Sequence, residues 1–457
     1  MWRCISNRRC ILILLLTLFL GALARGHALD TANAPRASQS SQSESVTTPA
    51  IQLPESEQTE TEQYTLSHDR YEKAVSYSRA AYALHFVSFF LSILVLFVVL
   101  RLGVIAKFRD IAENVSDKRW IQALLFVPLL LFTLDLFDLP VRIYWHMLSL
   151  RYQQSVQRWG SWLSDWAKEE VLGIAFALIL VGLLVVAMRR SPRHWWLYFW
   201  FAALPVLLFI FFISPRFIDP LFNKFEPLDA QYPTLVTAIE KVSHRAGLQI
   251  PRERIFLMRA SEKTNRLNAY VTGFGTSKRV VVWDTTIQKL TTDETLFIFG
   301  HEAGHYLLHH IRNSLLFFAA TLLLAFYLLF RGLHWALHRW ATNCKIYGPE
   351  DWASLAVLLL LLQVMAFFSS PVVNWYSRMQ EHAADIYGLE VIHGIVPNSA
   401  EVAAHAFQVL GEVDLDDPNP PSFITFWLYS HPPLADRLIF AHSYDPWSKG
   451  EPPKYVK

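Results

Sequence analysis

Cysteine is nearly absent: Cys4, Cys10 and Cys344 are the only three in 457 residues. None belongs to a CxxC pair, so a disulfide framework and a thiolate metal cluster are excluded. Any metal is left to histidine and carboxylate. A surplus of one charge is lacking too, since 41 Lys and Arg stand against 39 Asp and Glu. That near-balance carries no nucleic-acid footprint. No internal repeat is evident, which removes the repeat architectures.

What is abundant is apolar surface, 53% of the chain, and it is bunched. Six segments approach membrane length, at about 81–100, 121–137, 171–188, 195–213, 313–330 and 352–373. The second contains Pro128 and Asp135, and a carboxylate inside a span is expected to face the bundle interior. Ahead of them, "MWRCISNRR" is a basic start and "CILILLLTLFLGALA" an apolar core, with Gly26 and Ala28 at a cleavage-like point. Residues 1–28 therefore read as a signal peptide or an N-terminal anchor. Residues 29–65, rich in Ser, Thr, Gln, Glu and Pro, are too poor in large apolar side chains to offset their ordering entropy, and read as a disordered tether.

The remaining organisation is N-terminal membrane helices over 66–213, a soluble catalytic part over 214–312, a transmembrane hairpin over 313–373 and a C-terminal catalytic part over 374–457. The loop 101–120 carries five Lys or Arg, and Arg189, Arg190, Arg193, Arg331, Arg339 and Lys345 follow later spans on the same side. The positive-inside rule makes that side cytoplasmic and puts the catalytic parts on the exported face. Arg142, Arg151 and Arg158 lie on the opposite side and weaken the asymmetry.

The stretch "FGHEAGHYLLHHIRNSLLFF", residues 299–318, holds an HExxH motif running directly into a membrane-like segment. On a helix His301 and His305 share one face about 6 Å apart along the axis, close enough for both imidazoles to reach one zinc ion. Glu302, beside the first ligand, is placed to act as general base on a zinc-activated water. Thr292 or Asp293 is the expected helix cap. A third ligand is required. On a continuous helix His309 lies about 12 Å of rise beyond His301, too far for ligands bonded at about 2 Å; it and His310 read as a polar collar at the membrane entry. The metzincin pattern needs a histidine where Ile311 stands, so that class is excluded.

The ligand must return to the same face. A helix continuing from His301 into 313–330, crossing, turning, and coming back as 352–373 with Pro371 near its exit would deliver "NWYSRMQEHAADIYG" beside the motif. Glu381 is then the third zinc ligand. Asp385, one turn later, is placed to orient a ligating imidazole. Short strands are expected at 254–258, 267–272 and 279–283, with Gly273 and Gly275 in the last turn.

From about residue 120 to the C-terminus the chain resembles the type I CAAX prenyl endopeptidases, the sterile-24-like integral-membrane zinc metallopeptidases. The likeness is carried by "LPVRIYWHMLSLRYQQSVQRWGSWLSDWAK", "ISPRFIDPLFNKFEPLD", "NRLNAYVTGFGTSKRVVVWDT" and "SHPPLADRL". It implies a predominantly α-helical multi-span bundle enclosing a chamber, with a zincin-like α+β catalytic domain carrying a small sheet. It also implies that Asn268, Ala269 and Tyr270 form the edge strand that binds substrate, that His431 steadies the oxyanion, that Arg437 supports it, and that Asp385 doubles as a proton donor. The expected enzyme is a zinc metalloendopeptidase with one zinc per chain, acting on peptide or protein substrates at the bilayer. A heat-shock-type membrane quality-control protease and a noncatalytic zinc-stabilised chaperone or scaffold are the rival readings.

Overall fold

The computed structural model describes residues 64–273 and 278–456. The expected signal or anchor, the tether through residue 63 and Gly275 lie outside the described residues.

All six apolar segments form helices long and apolar enough to cross a membrane. They are α1 (His68–Arg101), α3 (Arg119–Arg151), α4 (Trp159–Arg190), α5 (Trp195–Ile213), α8 (His310–Cys344) and α9 (Ser354–Ile392), with a short amphipathic α2 (Val104–Val115) between the first two. Several run well past the ~20 residues that a bilayer requires. At 35 and 39 residues, α8 and α9 reach roughly 52 and 58 Å. Pro371 does not end its segment; it is buried inside α9, which stays helical to Ile392. One apolar core joins the bundle, with Phe126, Trp195, Phe326 and Leu333 among its buried members.

Asp135 faces the interior as expected. It is 2% exposed, receives Arg142 Nη1 at 3.1 Å and Trp166 Nε1 at 2.9 Å, and so is neutralised inside the bundle. At the far end Arg109, 1% exposed, bonds the Lys345 carbonyl and Asp351 Oδ2, each at 2.7 Å. Arg189 meets Glu350 at 3.7 Å. The basic loops grouped by sequence therefore do share one end of the molecule.

The other end carries the sheet and the HExxH helix. Its four-stranded sheet runs in the order β1–β2–β4–β3, with β1 (Phe225–Pro227), β2 (Ile255–Met258), β3 (Ala269–Thr272) and β4 (Arg279–Trp283). The sequence pattern located the last three and missed β1, three residues long. The β2–β4 pair is parallel and the other two antiparallel. A second core packs α6 (Pro233–Arg245), α7 (Thr292–Leu307), α10 (Ser399–Asp414) and the end of α9 against this sheet, around Ile239, Phe297, Val282, Phe407 and Val391. Tyr64, assigned to the tether, is 7% exposed within that core.

Candidate active site

The motif helix α7 starts from a capping box. Thr291, not Thr292 or Asp293, is the cap: its hydroxyl accepts from Glu294 N at 3.3 Å while Glu294 Oε2 accepts from Thr291 N at 2.7 Å. Expected continuity into the membrane fails at the other end. The helix stops at Leu307, His309 takes left-handed dihedrals (φ 59°), and α8 begins afresh at His310. His310 is no collar residue: it is 7% exposed and its Nδ1 lies 3.1 Å from His305 Nδ1.

The returning helix α9 does come back to the motif, and glycines set how close. A Cβ on Gly388 would stand 3.0 Å from His301 N and 3.2 Å from its Cα; one on Gly300 would meet Val391 Cγ1 at 2.7 Å; one on Gly304 would meet Tyr387 Cβ at 2.9 Å. Three missing side chains let two helix backbones touch. Sequence reading passed over them, although Gly300, just before the HExxH motif, and Gly304 within it form a small-xxx-small pair.

This contact brings the predicted ligands together. His301 Nε2 lies 3.1 Å from His305 Nε2 and 3.3 Å from Glu381 Oε2, and His305 Nε2 lies 3.7 Å from Glu381 Oε1. Donors bonded at about 2.0–2.1 Å to a tetrahedral ion sit about 3.3 Å apart. The triad therefore fits a zinc ion, and two neutral imidazoles with one carboxylate leave a fourth position open, as a catalytic site requires. Among the described residues it is the one group of three or more His, Cys, Asp or Glu disposed to hold a metal.

Behind the triad, Asp385 Oδ1 lies 2.8 Å from His301 Nδ1. The same carboxylate takes a two-pronged bond from Arg437, Nε to Oδ2 at 2.9 Å and Nη2 to Oδ1 at 2.6 Å. Arg437 comes from α12 (Leu434–Ser443), is 9% exposed and lies 4.3 Å over the Phe407 ring. The support it was expected to give His431 thus goes to Asp385 instead. Burial alone would lower the His301 pKa, but Asp385 and Glu381 outweigh it and push it up to about 10 in the metal-free site. Burial raises the Glu302 carboxyl above its ordinary value, although the charges of His305 and His301 oppose this.

His431 arrives on the loop after α11 (Ser422–Leu428). Asn374 Nδ2 holds the Trp427 carbonyl at 2.6 Å, and Arg378 donates to the carbonyls of Thr425 and Tyr429. Tyr82 of α1 adds a hydroxyl contact to Tyr429 at 2.6 Å. So anchored, His431 Nε2 stands 3.2 Å from Glu381 Oε2. Burial drops its pKa to about 4, which leaves it a neutral imidazole near pH 7. On the other flank β3 is the edge of the sheet and packs on α7. Ala269 and Tyr270 lie on β3, and Asn268 immediately precedes it with its side-chain Nδ2 buried and without a partner among the described residues.

Comparison with known proteins agrees with this geometry. A profile described as "Peptidase family M48" matches residues 229–444, and one described as "CAAX prenyl protease N-terminal, five membrane helices" matches residues 52–224. A Bacillus subtilis protein named "Uncharacterized metalloprotease YhfN" is 36% identical over 372 residues, spanning 80% of this chain and 84% of that one. The chain belongs to peptidase family M48. This M48 metallopeptidase is also similar to CAAX prenyl protease 1 of Saccharomyces cerevisiae, 28% identical over 69% of this chain and 71% of the yeast protein. The crystal structure of S. mikatae Ste24p superposes with a TM-score of 0.72 at 25% identity, covering 86% and 92% of the two chains. The protein is thus a multi-pass membrane metalloprotease of CAAX-prenyl-protease type.

Proposed function

We propose that this M48 metallopeptidase is a zinc endopeptidase whose metal is held by His301, His305 and Glu381. The observation that carries the reading is the set of donor separations, 3.1, 3.3 and 3.7 Å, which match one tetrahedral ion with an open face. When bound, zinc supplies Lewis-acid polarisation of the attacking water and the scissile carbonyl. Glu302 takes the proton from that water and passes it to the leaving amine; desolvation makes its carboxylate a stronger base than one in water. Neutral His431 donates a hydrogen bond from Nε2 to the developing oxyanion. Asp385, held by Arg437, keeps the His301 Nδ1 proton in place so that Nε2 faces the metal; the further proton-donor role implied by resemblance is not needed here.

Substrate lies extended along Asn268, Ala269 and Tyr270. Main-chain bonds to an edge strand align a peptide without demanding one sequence, and the buried amide of Asn268 is available to a substrate carbonyl. By likeness to the CAAX prenyl proteases, the substrates are membrane-associated peptides of that kind, and the active site opens towards the bundle. The basic loops at the opposite end support a reading in which it lies on the exported face.

The test is cleavage of a fluorogenic CAAX-type peptide, farnesylated or bare, by parent and Glu302→Ala proteins of equal zinc content. The variant is expected to lose at least about 10²-fold in rate while retaining its metal. Cleavage at the parental rate would remove Glu302 as the base. Equal turnover of the bare peptide would show that the farnesyl group is not read.

A further inference from the structure

The two imidazoles of the motif are backed unequally. His301 has Asp385 behind its Nδ1. His305 has another histidine: His310 Nδ1 lies 3.1 Å away, with the rings edge to face at 74° and centroids 5.1 Å apart. We propose that His310 is the positioning residue of His305, accepting a hydrogen bond from its Nδ1–H and so aiming Nε2 at the metal; this rests on the metal reading above.

Hydrogen accounting fixes the direction. A neutral imidazole that offers its Nε2 lone pair to a cation keeps its proton on Nδ1, and that atom can then only donate. His310 Nδ1 must be the acceptor, so its own proton sits on Nε2. Ligating imidazoles generally rest their second nitrogen on an oxygen acceptor or water; here a neutral nitrogen takes that place and adds no negative charge to the site.

The backbone exists in the form that permits this. Residues five apart on an unbroken helix point about 140° from each other, and His310 could not reach His305. The left-handed step at His309 (φ 59°) resets the direction, and the new helix starts with His310 folded back under its predecessor. A non-glycine residue in that region is uncommon. The refolded turn is tied to the ligand helix as well: Gln380, next to Glu381, directs Nε2 at the His310 carbonyl at 3.5 Å while its Oε1 accepts from Ser314 at 3.0 Å. His310 is 7% exposed, so no water substitutes freely for it.

The experiment compares His310→Asn with His310→Leu in the full chain. Asn Oδ1 lies as many bonds from Cα as the imidazole Nδ1 and preserves an acceptor; Leu keeps a similar branched shape without one. Metal-stripped parent and variants are titrated with Zn²⁺ against a chromogenic chelator, and thermal unfolding of the metal-free forms is followed in parallel. Leu is expected to bind zinc about 10- to 100-fold more weakly, with Asn recovering most of that loss and metal-free stabilities staying close. Leu binding as tightly as the parent, or Asn no better than Leu, overturns the assignment. Should Leu fail to fold, His310→Ala is judged by the same two criteria. A parent that takes up no zinc at these residues would instead remove the metal reading itself.

Discussion

At the scale of single residues the site is a set of buried carboxylates that need cationic partners: Arg437 answers Asp385. Glu381 is 2% exposed and Asp385 1%, and in the metal-free protein a proton on His301 answers them. Its pKa is pushed up to about 10. Zinc needs the neutral imidazole, so binding near pH 7 expels that proton, and apparent zinc affinity should rise with pH until about pH 10. Calorimetric titration in buffers of different ionisation enthalpy should register net proton release; none would mean that the site is already neutral. Linkage gives the companion sign. The raised His301 pKa stabilises the metal-free fold fully below its unfolded value of about 6.5, and that contribution fades as pH rises through about 10.

At the scale of elements, the contact between α7 and α9 decides whether ligands meet. It is made by Gly300, Gly304 and Gly388, and at Gly388 the atoms in the way are the backbone N and Cα of His301. Backbone in a helix cannot swing aside as a side-chain tip can. Gly388→Ala should therefore cost about 1–3 kcal/mol, seen as a lowered unfolding temperature, and should separate Glu381 from the imidazoles, seen as weakened zinc retention on gel filtration. Unchanged metal content would show that α9 can shift without losing its ligand. Alanine at Gly160, whose Cβ would meet nothing within 4 Å, is the control. Much at this scale was readable in the chain. The six spans, three strands and the returning acidic helix all follow from pattern, but the break at His309 does not. Nothing in "YLLHHIRN" is a glycine or proline, so local preference favoured one continuous helix. Tertiary packing of His310 against His305 overrode it.

At the scale of the whole molecule, the long helices are what join membrane to chemistry. Because α9 runs unbroken from the end bearing Arg109 and Asp351 to Glu381 and Asp385, the basic loops and the candidate active site are fixed at opposite ends. Orientation then becomes one question with one answer for both. If the basic end is cytoplasmic, a reporter fused after Lys457 that is active only outside the cytoplasm should give a signal, and a cytoplasmic reporter at the same point should stay dark. The reverse pattern would turn the enzyme over in the bilayer.

The sequence alone determined the motif and the traffic of the chain. Helical spacing fixes His301 and His305 on one face, hydropathy fixes the crossings, and two crossings return the chain to the side it left. Those are local or topological facts, and they need no packing. Tertiary structure alone decided how near the returning carboxylate comes, that Arg437 serves Asp385 instead of His431, and that His310 stands behind a ligand. The first two depend on contacts of about 3 Å between segments far apart in the chain, set by which side chains are missing or buried where helices cross; the third depends on a left-handed step at His309 that no residue type in the stretch announces.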